Sequence, residues 1–357
     1  MKNVKDRPVI AVIGCGMMGS AITWPAAHNG CRIRLVGSPL DDAIIDHAKK
    51  TGEHLTLKRK IPAKNGNYEY FYFSELDRAL EGVDLTICGV SSFGFEWYCD
   101  NVIRRLPDGV PVLSITKGML HLGNGKMISY PERMEEVAAK CGKNIEFCAV
   151  GGPCTSYELA DHDPSCVTFC GRRMELLRQI RSYFEAPYYH VSLSTDVRGV
   201  ECAVALKNAY ALGVSLAIGM SYAREGREFE HYNSQAALFG QSVKEMRRLL
   251  ELCGGDKDNI DLGAGDLYVT VFGGRTRRIG TLLGTGMSFA DAMAQLKGVT
   301  LESIVIAGRT VEAVEALETL GTVTAADFPL LHHIGRLLNN ETGIEVPFKD
   351  FETETVI

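Results

Sequence analysis

Short apolar runs alternate with helix-like stretches through the first half of the chain. The runs are brief and several end in glycine, which is typical of buried strands. Residues 41–60 carry a helical pattern, and Pro25 should shorten or distort the helix that follows the first run. This alternation predicts a parallel sheet with helical crossovers. The predicted strands are residues 8–14, 31–37, 83–90, 110–116 and 145–152.

The pattern changes near residues 190–197, where strand signals become scarce and helical periodicity continues. We therefore expect two domains: an α/β Rossmann-type domain with a mostly parallel, doubly wound sheet over residues 1–195, and an all-α domain over 196–357. The polar segment 222–233 has no periodicity and is expected to be an exposed loop or turn. The predicted helices of the second domain are residues 197–220, 234–253, 288–296, 300–319 and 329–340.

Composition and charge exclude several classes of protein. A net charge of −6 over 357 residues argues against general affinity for nucleic acid or anionic membrane, so any phosphate must be bound locally. Residues 199–220 approach the length of a membrane span, but Lys207 and Asn208 argue against stable insertion. The 11 cysteines match no zinc spacing. Without a recognisable export signal they predict free thiols, a cytoplasmic location and no bound metal.

A glycine-rich turn follows the first predicted strand. Gly14, Gly16 and Gly19 match G-x-G-x-x-G between a strand and a helix. There the first glycine permits a tight turn, the second lets the backbone approach a pyrophosphate, and the third lets the helix pack on the strand. Amides at the helix N-terminus add partial positive charge. The motif predicts a dinucleotide site, in which Met17 and Met18 either line the nicotinamide position or simply pack.

The end of the second predicted strand leaves the choice between NAD and NADP open. An acidic residue there would bind the ribose hydroxyls of NAD, whereas an arginine would accept the 2′-phosphate of NADP. The sequence has Gly37-Ser38-Pro39 at this point, with Asp41 and Asp42 further on. Neither an acidic residue nor an arginine stands at the expected place directly after the strand. Ser38 is compatible with both cofactors.

A charged residue interrupts the most apolar predicted helix. On a helix over residues 199–219, Lys207 shares a face with Val200, Val204 and Val214, so it points where a core residue should point. Partial burial would lower the pKa of the lysine towards neutrality, as proton transfer requires. The alternative is a lysine that extends its ammonium group to water. The helix alone does not decide between them.

A later motif favours a partly buried Lys207 that transfers a proton. The motif, at residues 261–280, is D-L-G-A-G-D-L-Y-V-T-V-F-G-G-R-T-R-R-I-G. Asp266 and Thr270 are four residues apart and share a helix face, and Asp266 could hold and balance the charge of Lys207. Arg275 follows two glycines, so we expect a flexible turn to carry it, and its planar guanidinium suits bidentate phosphate binding. In isolation this run of arginines would be only a solvated helix start.

Together these motifs resemble the NAD(P)-dependent sn-glycerol-3-phosphate dehydrogenases. The resemblance extends over nearly the whole chain, in order. It comprises G-C-G-M-M-G-S-A from Gly14, S-I-T-K-G-M around Lys117, G-G-P-C-T-S-Y-E-L-A at 151–160, D-V-R-G-V-E-C-A-V-A-L-K-N at 196–208, and G-A-G-D-L-Y-V-T with G-G-R-T-R at 263–277.

The resemblance implies a reaction and a set of residue roles. Hydride would pass between the nicotinamide and C2 of glycerol 3-phosphate or dihydroxyacetone phosphate, with Lys207 as general acid/base at the C2 oxygen. Asp266 and Lys117 would support it, and Arg275 and Asn208 would bind the substrate phosphate and neighbouring groups. The remaining implied contacts are Gly152 and Cys154 with substrate and Ser156 with cofactor. Thr270 is a further candidate substrate contact, and Lys117 and Arg275 are also candidate cofactor contacts.

Some positions depart from the family pattern. Met17-Met18 replaces a small residue and an aromatic one. Thr276 follows Arg275 where the family has asparagine, and it stays a candidate substrate contact. Lys297 stands where glutamate or glutamine precedes a glycine, and it stays a candidate cofactor contact. The segment 218–238 also looks rebuilt.

Three functions follow from the sequence. The first is the NAD(P)-dependent glycerol-3-phosphate dehydrogenase just described, acting on a small phosphorylated substrate. The second is a dehydrogenase of the same fold that acts on another phosphorylated polyol or a 2-keto acid. The third is a catalytically silent, nucleotide-binding regulatory protein. An apolar helical second domain is also compatible with a homodimer.

Overall fold

A computed structural model describes residues 7–64, 66–227, 231–299 and 301–354. The chain divides into two compact units, which are described separately. The first unit contains Met1–Lys117 and Ser129–Glu201, and the second contains Gly118–Ile128 and Cys202–Ile357.

The first unit is built on a mostly parallel sheet. Among the described residues the sheet has eight strands in the order β10-β9-β8-β5-β4-β1-β2-β3, and β8 and β9 are antiparallel while the other neighbours are parallel. The fold class predicted from the sequence is confirmed. The strands are β1 (Val9–Ile13), β2 (Arg32–Val36), β3 (Tyr68–Phe71), β4 (Leu85–Cys88), β5 (Val112–Ser114), β8 (Phe147–Gly151), β9 (Ser165–Cys170) and β10 (Tyr189–Ser194), with β6 (Met119–His121) and β7 (Met127–Ser129) forming a separate pair.

The central strands are apolar on both faces. Every residue of β1, β4 and β8 is buried, as expected for parallel strands covered on both sides by helices. This explains why the sequence shows these strands as continuous apolar runs. The edge strand β3 and the alternating strand β10 give weaker signals, and the sequence analysis did not predict them.

Helices connect the strands of the first unit. Pro25 interrupts the first helix as predicted: the helix breaks at Ile22 because proline has no N–H to donate to the carbonyl of Ala21. The predicted helix over 41–60 is too long, because Gly52 ends it in a left-handed conformation with φ of 70°. The helices are α1 (Met17–Ala21), α2 (Thr23–His28), α3 (Asp42–Thr51), α4 (Leu76–Ala79), α5 (Phe95–Asn101), α6 (Tyr130–Lys140), α7 (Ser156–Ala160) and α8 (Met174–Phe184).

The second unit is mainly helical. The segment 222–233, expected to be a loop, is partly helical: the long helix continues to Glu225 and the next begins at Tyr232, while residues 228–230 lie outside the described residues. Residue 300 of the predicted helix 300–319 also lies outside them. The helices are α9 (Val197–Glu225), α10 (Tyr232–Leu252), α11 (Ile260–Val271), α12 (Gly274–Gly284), α13 (Phe289–Gln295), α14 (Glu302–Thr319) and α15 (Pro329–Leu338).

Helix α9 is the core helix of this part of the chain. It has 29 residues, and among the described residues it is the one helix long and apolar enough to cross a membrane. However, 89% of its most apolar window is buried by other parts of the protein. Its apolar character is therefore explained by packing.

Residues 118–128 belong to the second unit, although the sequence analysis expected 1–195 to form one domain. The two-stranded β6–β7 sheet packs against α14, where Arg309 Nη1 donates to the carbonyl of Met119 at 2.9 Å. Gly125 approaches Leu317 so closely that a Cβ would lie 2.5 Å from its side chain. The residues of the hydrogen bond are 190 positions apart, so no local sequence pattern signals this contact.

Candidate active site

The glycine-rich turn lies where strand β1 ends. Gly14 has a φ of 97°, which favours glycine, and a Cβ there would lie 2.7 Å from Val90 N. A Cβ on Gly19 would lie 2.1 Å from Gly14 O, so the helix could not pack on the turn. Gly16 has no atom within 4 Å of its ideal Cβ position. Protein packing therefore does not require glycine at position 16, and the free space there suits the approach of a ligand.

A cavity of about 490 Å³ adjoins this turn within the first unit. Backbone from the ends of β1 and β4 forms one wall, and apolar side chains form much of the remainder. An apolar slot beside exposed glycine backbone matches the two parts of an adenine dinucleotide, the flat base and the pyrophosphate. The lining residues are Gly14, Gly16, Ser38, Pro39, Leu40, Asp41, Gly89, Val90, Ser91, Phe93, Gly94 and Trp97.

Asp41 brings a carboxylate to the end of strand β2. Its Oδ2 accepts hydrogen bonds from Ser38 N at 2.8 Å and from Cys15 N, inside the glycine-rich turn, at 3.2 Å. The sequence spacing indicated no acidic group at this place. The loop after β2 folds back, so a residue that lies too late in the sequence reaches the expected position in space.

His54 supports the same turn from beneath. The ring is fully buried; its Nδ1 accepts from Leu57 N at 3.0 Å and its Nε2 lies 2.9 Å from Cys15 O. With Nδ1 accepting, Nε2 carries the proton and donates to that carbonyl. Burial lowers the pKa of His54, which keeps the ring neutral. The sequence alone does not indicate a role for His54, because an isolated histidine after a helix carries no local signal.

The other residues of the first unit predicted to contact cofactor have varied surroundings. Met17 is 39% exposed and lies 3.2 Å from Tyr157 Oη, whereas Met18 packs partly buried against the core of this unit. Ser156 begins helix α7 and is half-buried.

Gly89, which was not predicted from the sequence, contacts the glycine-rich turn: a Cβ on it would lie 2.7 Å from Gly14 O. Its signal was available, since it follows strand β4 as Gly14 follows β1.

Lys117 and Gly152 lie together in the first unit. Lys117 Nζ donates to Gly152 O at 2.8 Å, and Gly152 has a φ of 111° that favours glycine. Cys154, two residues on, is half-buried. Glu201 is 1% exposed, and burial raises its pKa to about 8 although the charge of Lys117 acts in the opposite direction.

Lys207 and Asp266 form an ion pair in the second unit. Lys207 Nζ lies 2.5 Å from Asp266 Oδ1, and the two side chains are 13% and 3% exposed. The pairing that the sequence predicted is present, and the lysine does not extend into bulk water. A nearly buried lysine held by a carboxylate is a proton donor in a fixed position.

Close packing of two helices produces this pair. A Cβ on Gly263 would lie 2.7 Å from Ala203 O, so α11 approaches α9 to within a distance that only glycine allows. Asp266 is three residues beyond Gly263, and Lys207 is four residues beyond Ala203. One turn from the contact, each helix therefore presents its charged residue to the other.

The remaining predicted residues of the second unit lie nearby in sequence but differ in exposure. Thr270 Oγ1 donates to the carbonyl of Asp266 at 2.7 Å, and Asn208 is half-buried beside Lys207. Arg275 is exposed in the first turn of α12, so it belongs to a helix and not to the flexible turn that the sequence suggested. Thr276 is 8% exposed, and Lys297 is exposed.

The fold and these groups define a class of protein: a nicotinamide-dinucleotide-dependent dehydrogenase with a Rossmann-type domain followed by a helical domain. The family models are more specific. Residues 9–176 match the N-terminal model of NAD-dependent glycerol-3-phosphate dehydrogenase, and residues 196–348 match its C-terminal model. The chain belongs to the NAD-dependent glycerol-3-phosphate dehydrogenase family.

Individual relatives agree with this assignment. The chain is 30% identical over 355 residues to the NADP(+)-dependent glycerol-3-phosphate dehydrogenase of Archaeoglobus fulgidus, covering 97% of this chain and 99% of the relative. It is 29% identical over 300 residues to the NAD(P)+ glycerol-3-phosphate dehydrogenase of Koribacter versatilis, covering 83% and 84%. The crystal structure of the glycerol-3-phosphate dehydrogenase from Coxiella burnetii shares the fold, with a TM-score of 0.76 at 23% identity over 97% and 98% of the chains.

Proposed function

We propose that this protein catalyses hydride transfer between a nicotinamide dinucleotide and C2 of glycerol 3-phosphate or dihydroxyacetone phosphate. The observation that carries the proposal is the buried Lys207–Asp266 pair, with 2.5 Å between Nζ and Oδ1, in a chain of this family. A hydride transfer to a ketone leaves an alkoxide, which needs a proton donor fixed close to it.

The residues of the first unit suit an adenine dinucleotide. Gly16 leaves room for a pyrophosphate beside backbone amides, Ser38 and Asp41 stand where the adenosine ribose belongs, and Phe93 lies in the apolar part of the cavity. When bound, the nicotinamide supplies or accepts the hydride. The protein's own residues bind and orient the reactants and move the proton.

Lys207 is the proton donor in the direction of ketone reduction and the acceptor in the reverse direction. Asp266 stabilises the ammonium form and fixes its position, because the two groups share one short hydrogen bond. Asp266 is itself held in α11, where Thr270 binds its main-chain carbonyl. We assign Thr270 and Asn208 to the substrate's polar groups next to the lysine.

The substrate phosphate is assigned to Arg275. Its guanidinium is exposed at the N-terminal turn of α12, where helix amides add to the attraction for an anion. Thr276 follows as a hydroxyl-bearing neighbour, and Lys297 stays a proposed cofactor contact from an exposed position. Lys117 is assigned to the substrate region of the first unit, together with Gly152 and Cys154, because its ammonium group is bound to Gly152 O.

Two broader properties belong to the same proposal. Buried thiols such as those of Cys88, Cys148 and Cys170 are free, which supports a reducing, cytoplasmic environment. Tyr268 of α11 and Phe272, the residue that follows this helix, form an edge-to-face pair although they are 59% and 60% exposed. Exposed aromatic surface of this kind supports the expectation of a homodimer.

Lys207→Ala tests the proposed chemistry. We expect the rate of NAD(P)H oxidation with dihydroxyacetone phosphate to fall by about 10²–10⁴-fold, because a positioned general acid contributes about that factor. Cofactor binding, measured by fluorescence titration, should be retained, and circular dichroism should show a folded protein. The control is Lys244→Ala, which removes an exposed lysine from helix α10. Undiminished turnover in Lys207→Ala would remove the lysine from its assigned role.

A further inference from the structure

The carboxylate of Asp41 occupies the position that separates the two nicotinamide cofactors. Asp41 lines the cavity beside the glycine-rich turn, just beyond the end of strand β2. A dehydrogenase of this fold meets the adenosine ribose at that place, and NADP differs from NAD there by one phosphate group. Whether Asp41 and its neighbours bind or repel that phosphate therefore decides cofactor preference.

Asp41 uses the amides that a phosphate would need. Ser38 N and Cys15 N both donate to its Oδ2, at 2.8 Å and 3.2 Å, so neither amide is available to another anion. Its Oδ1 has no hydrogen bond among the described residues. A carboxylate oxygen can only accept, so Oδ1 suits a ribose hydroxyl and repels a phosphate.

The described lining of the cavity also provides no cation to balance a phosphate. Among the described residues that line it there is no lysine, arginine or histidine. Arg59, on the loop that carries His54, is bound to Asp161, with Nε–Oδ1 and Nη2–Oδ2 distances of 2.5 Å and 2.7 Å. The next residue after Asp41 is a second carboxylate, the exposed Asp42. The local charge is thus negative.

We propose that Asp41 makes this protein select NAD over NADP, by accepting a hydrogen bond from the adenosine ribose and by repelling a 2′-phosphate. The inference rests on the proposed use of a nicotinamide dinucleotide, and it specifies which of the two dinucleotides is preferred. The inferred preference for NAD differs from the NADP(+) dependence in the name of the Archaeoglobus fulgidus relative. The wild-type protein should bind NADH on the order of 100-fold more tightly than NADPH, since like charges at this range cost a few kT each.

Equilibrium binding of NADH and NADPH, measured by isothermal titration calorimetry without substrate, tests the inference. Asp41→Asn retains an acceptor for the two amides and removes the charge, so the NADPH-to-NADH ratio of Kd values should fall at least tenfold. Asp42→Asn is the matched control, because it removes a neighbouring charge that accepts no hydrogen bond from the turn among the described residues, and it should change the ratio much less. Binding of 2′,5′-ADP and 5′-AMP to each variant reports on the adenosine end alone.

The outcomes separate the two proposals. Equal binding of NADH and NADPH by the wild type, or tighter binding of NADPH, would overturn the selectivity and leave the dehydrogenase assignment intact. Equal weakening of both cofactors in Asp41→Asn would assign the residue to the shape of the turn alone and would also overturn it. If neither cofactor binds the wild type, both the inference and the proposed function fail.

Discussion

The buried ionisable side chains of this protein have very different surroundings. Lys207 and Asp266 neutralise each other, and the carboxylate of Glu245 accepts hydrogen bonds from Tyr210, Gln241 and the backbone of helix α15. Glu201 has no hydrogen bond to either carboxylate oxygen in the described part of the chain. A buried carboxylate without hydrogen bonds is unfavourable when ionised, so Glu201 is held protonated at neutral pH.

The stability of the fold should consequently depend on the ionisation of Glu201. Burial raises its pKa from 4.5 to about 8. The contribution to stability is complete below pH 4.5 and is lost as pH rises through about 8, at about 1.4 kcal/mol per pH unit between those values. In urea unfolding from pH 5 to 9, Glu201→Gln should lose this decline, whereas the exposed control Glu175→Gln should keep it. Parallel profiles for wild type and Glu201→Gln would contradict the assignment.

At the scale of helices, glycines determine how near the elements of the second unit approach. A Cβ on Gly284 would lie 2.2 Å from Leu216 O, and one on Gly219 would lie 2.0 Å from Thr281 O. Together with Gly263 against Ala203, these contacts bring α11 and α12 directly onto the backbone of α9. Residues of those two helices, Asp266 among them, are positioned by backbone contacts, which are stiffer than side-chain contacts.

Gly263→Ala should therefore separate α11 from α9. We expect a loss of about 1–3 kcal/mol in the free energy of unfolding and a larger fall in kcat than in substrate affinity, because Asp266 moves away from Lys207. The matched control is Gly240→Ala in α10, where no atom lies within 4 Å of the ideal Cβ. That substitution should stabilise the protein by about 0.5–1 kcal/mol. Urea unfolding and steady-state kinetics measure both effects, and a neutral Gly263→Ala would rule out the close-packing explanation.

At the scale of the whole chain, each compact unit has its own core and its own buried neutral histidine. His54 lies in the first unit and His333 in the second, and both are at most 4% exposed. Burial lowers the pKa of each; for His333 the value falls to about 4, with the charge of Arg336 adding to the effect. Each histidine must become protonated when its unit unfolds in acid.

Acid should therefore lower the free energy of unfolding of both units. The contribution of His333 is complete above pH 6.5 and is lost as pH falls towards about 4, by about 1–3 kcal/mol in total. His333→Leu should make the free energy of unfolding less sensitive to pH between 7 and 5, as measured by urea titration. His190→Gln, at an exposed position, should leave the profile unchanged. An unaltered slope in His333→Leu would show that another group governs acid sensitivity.

The sequence by itself determined the features that depend on neighbouring residues. The buried strands, the glycine-rich turn, the break at Pro25 and the helical second domain were all readable, because each follows from apolar periodicity or from the backbone limits of glycine and proline. The helix spacing also brought Asp266 and Thr270 onto one face. The family resemblance added residue roles that the spacing alone left open.

Only the tertiary structure decided which distant residues meet. The fold brings the Asp41 carboxylate to the end of strand β2, inserts His54 beneath the turn, and joins Gly118–Ile128 to the second unit. These arrangements depend on loop paths and on helix–helix distances. Both are set by packing between segments far apart in the chain, so no pattern within one segment encodes them.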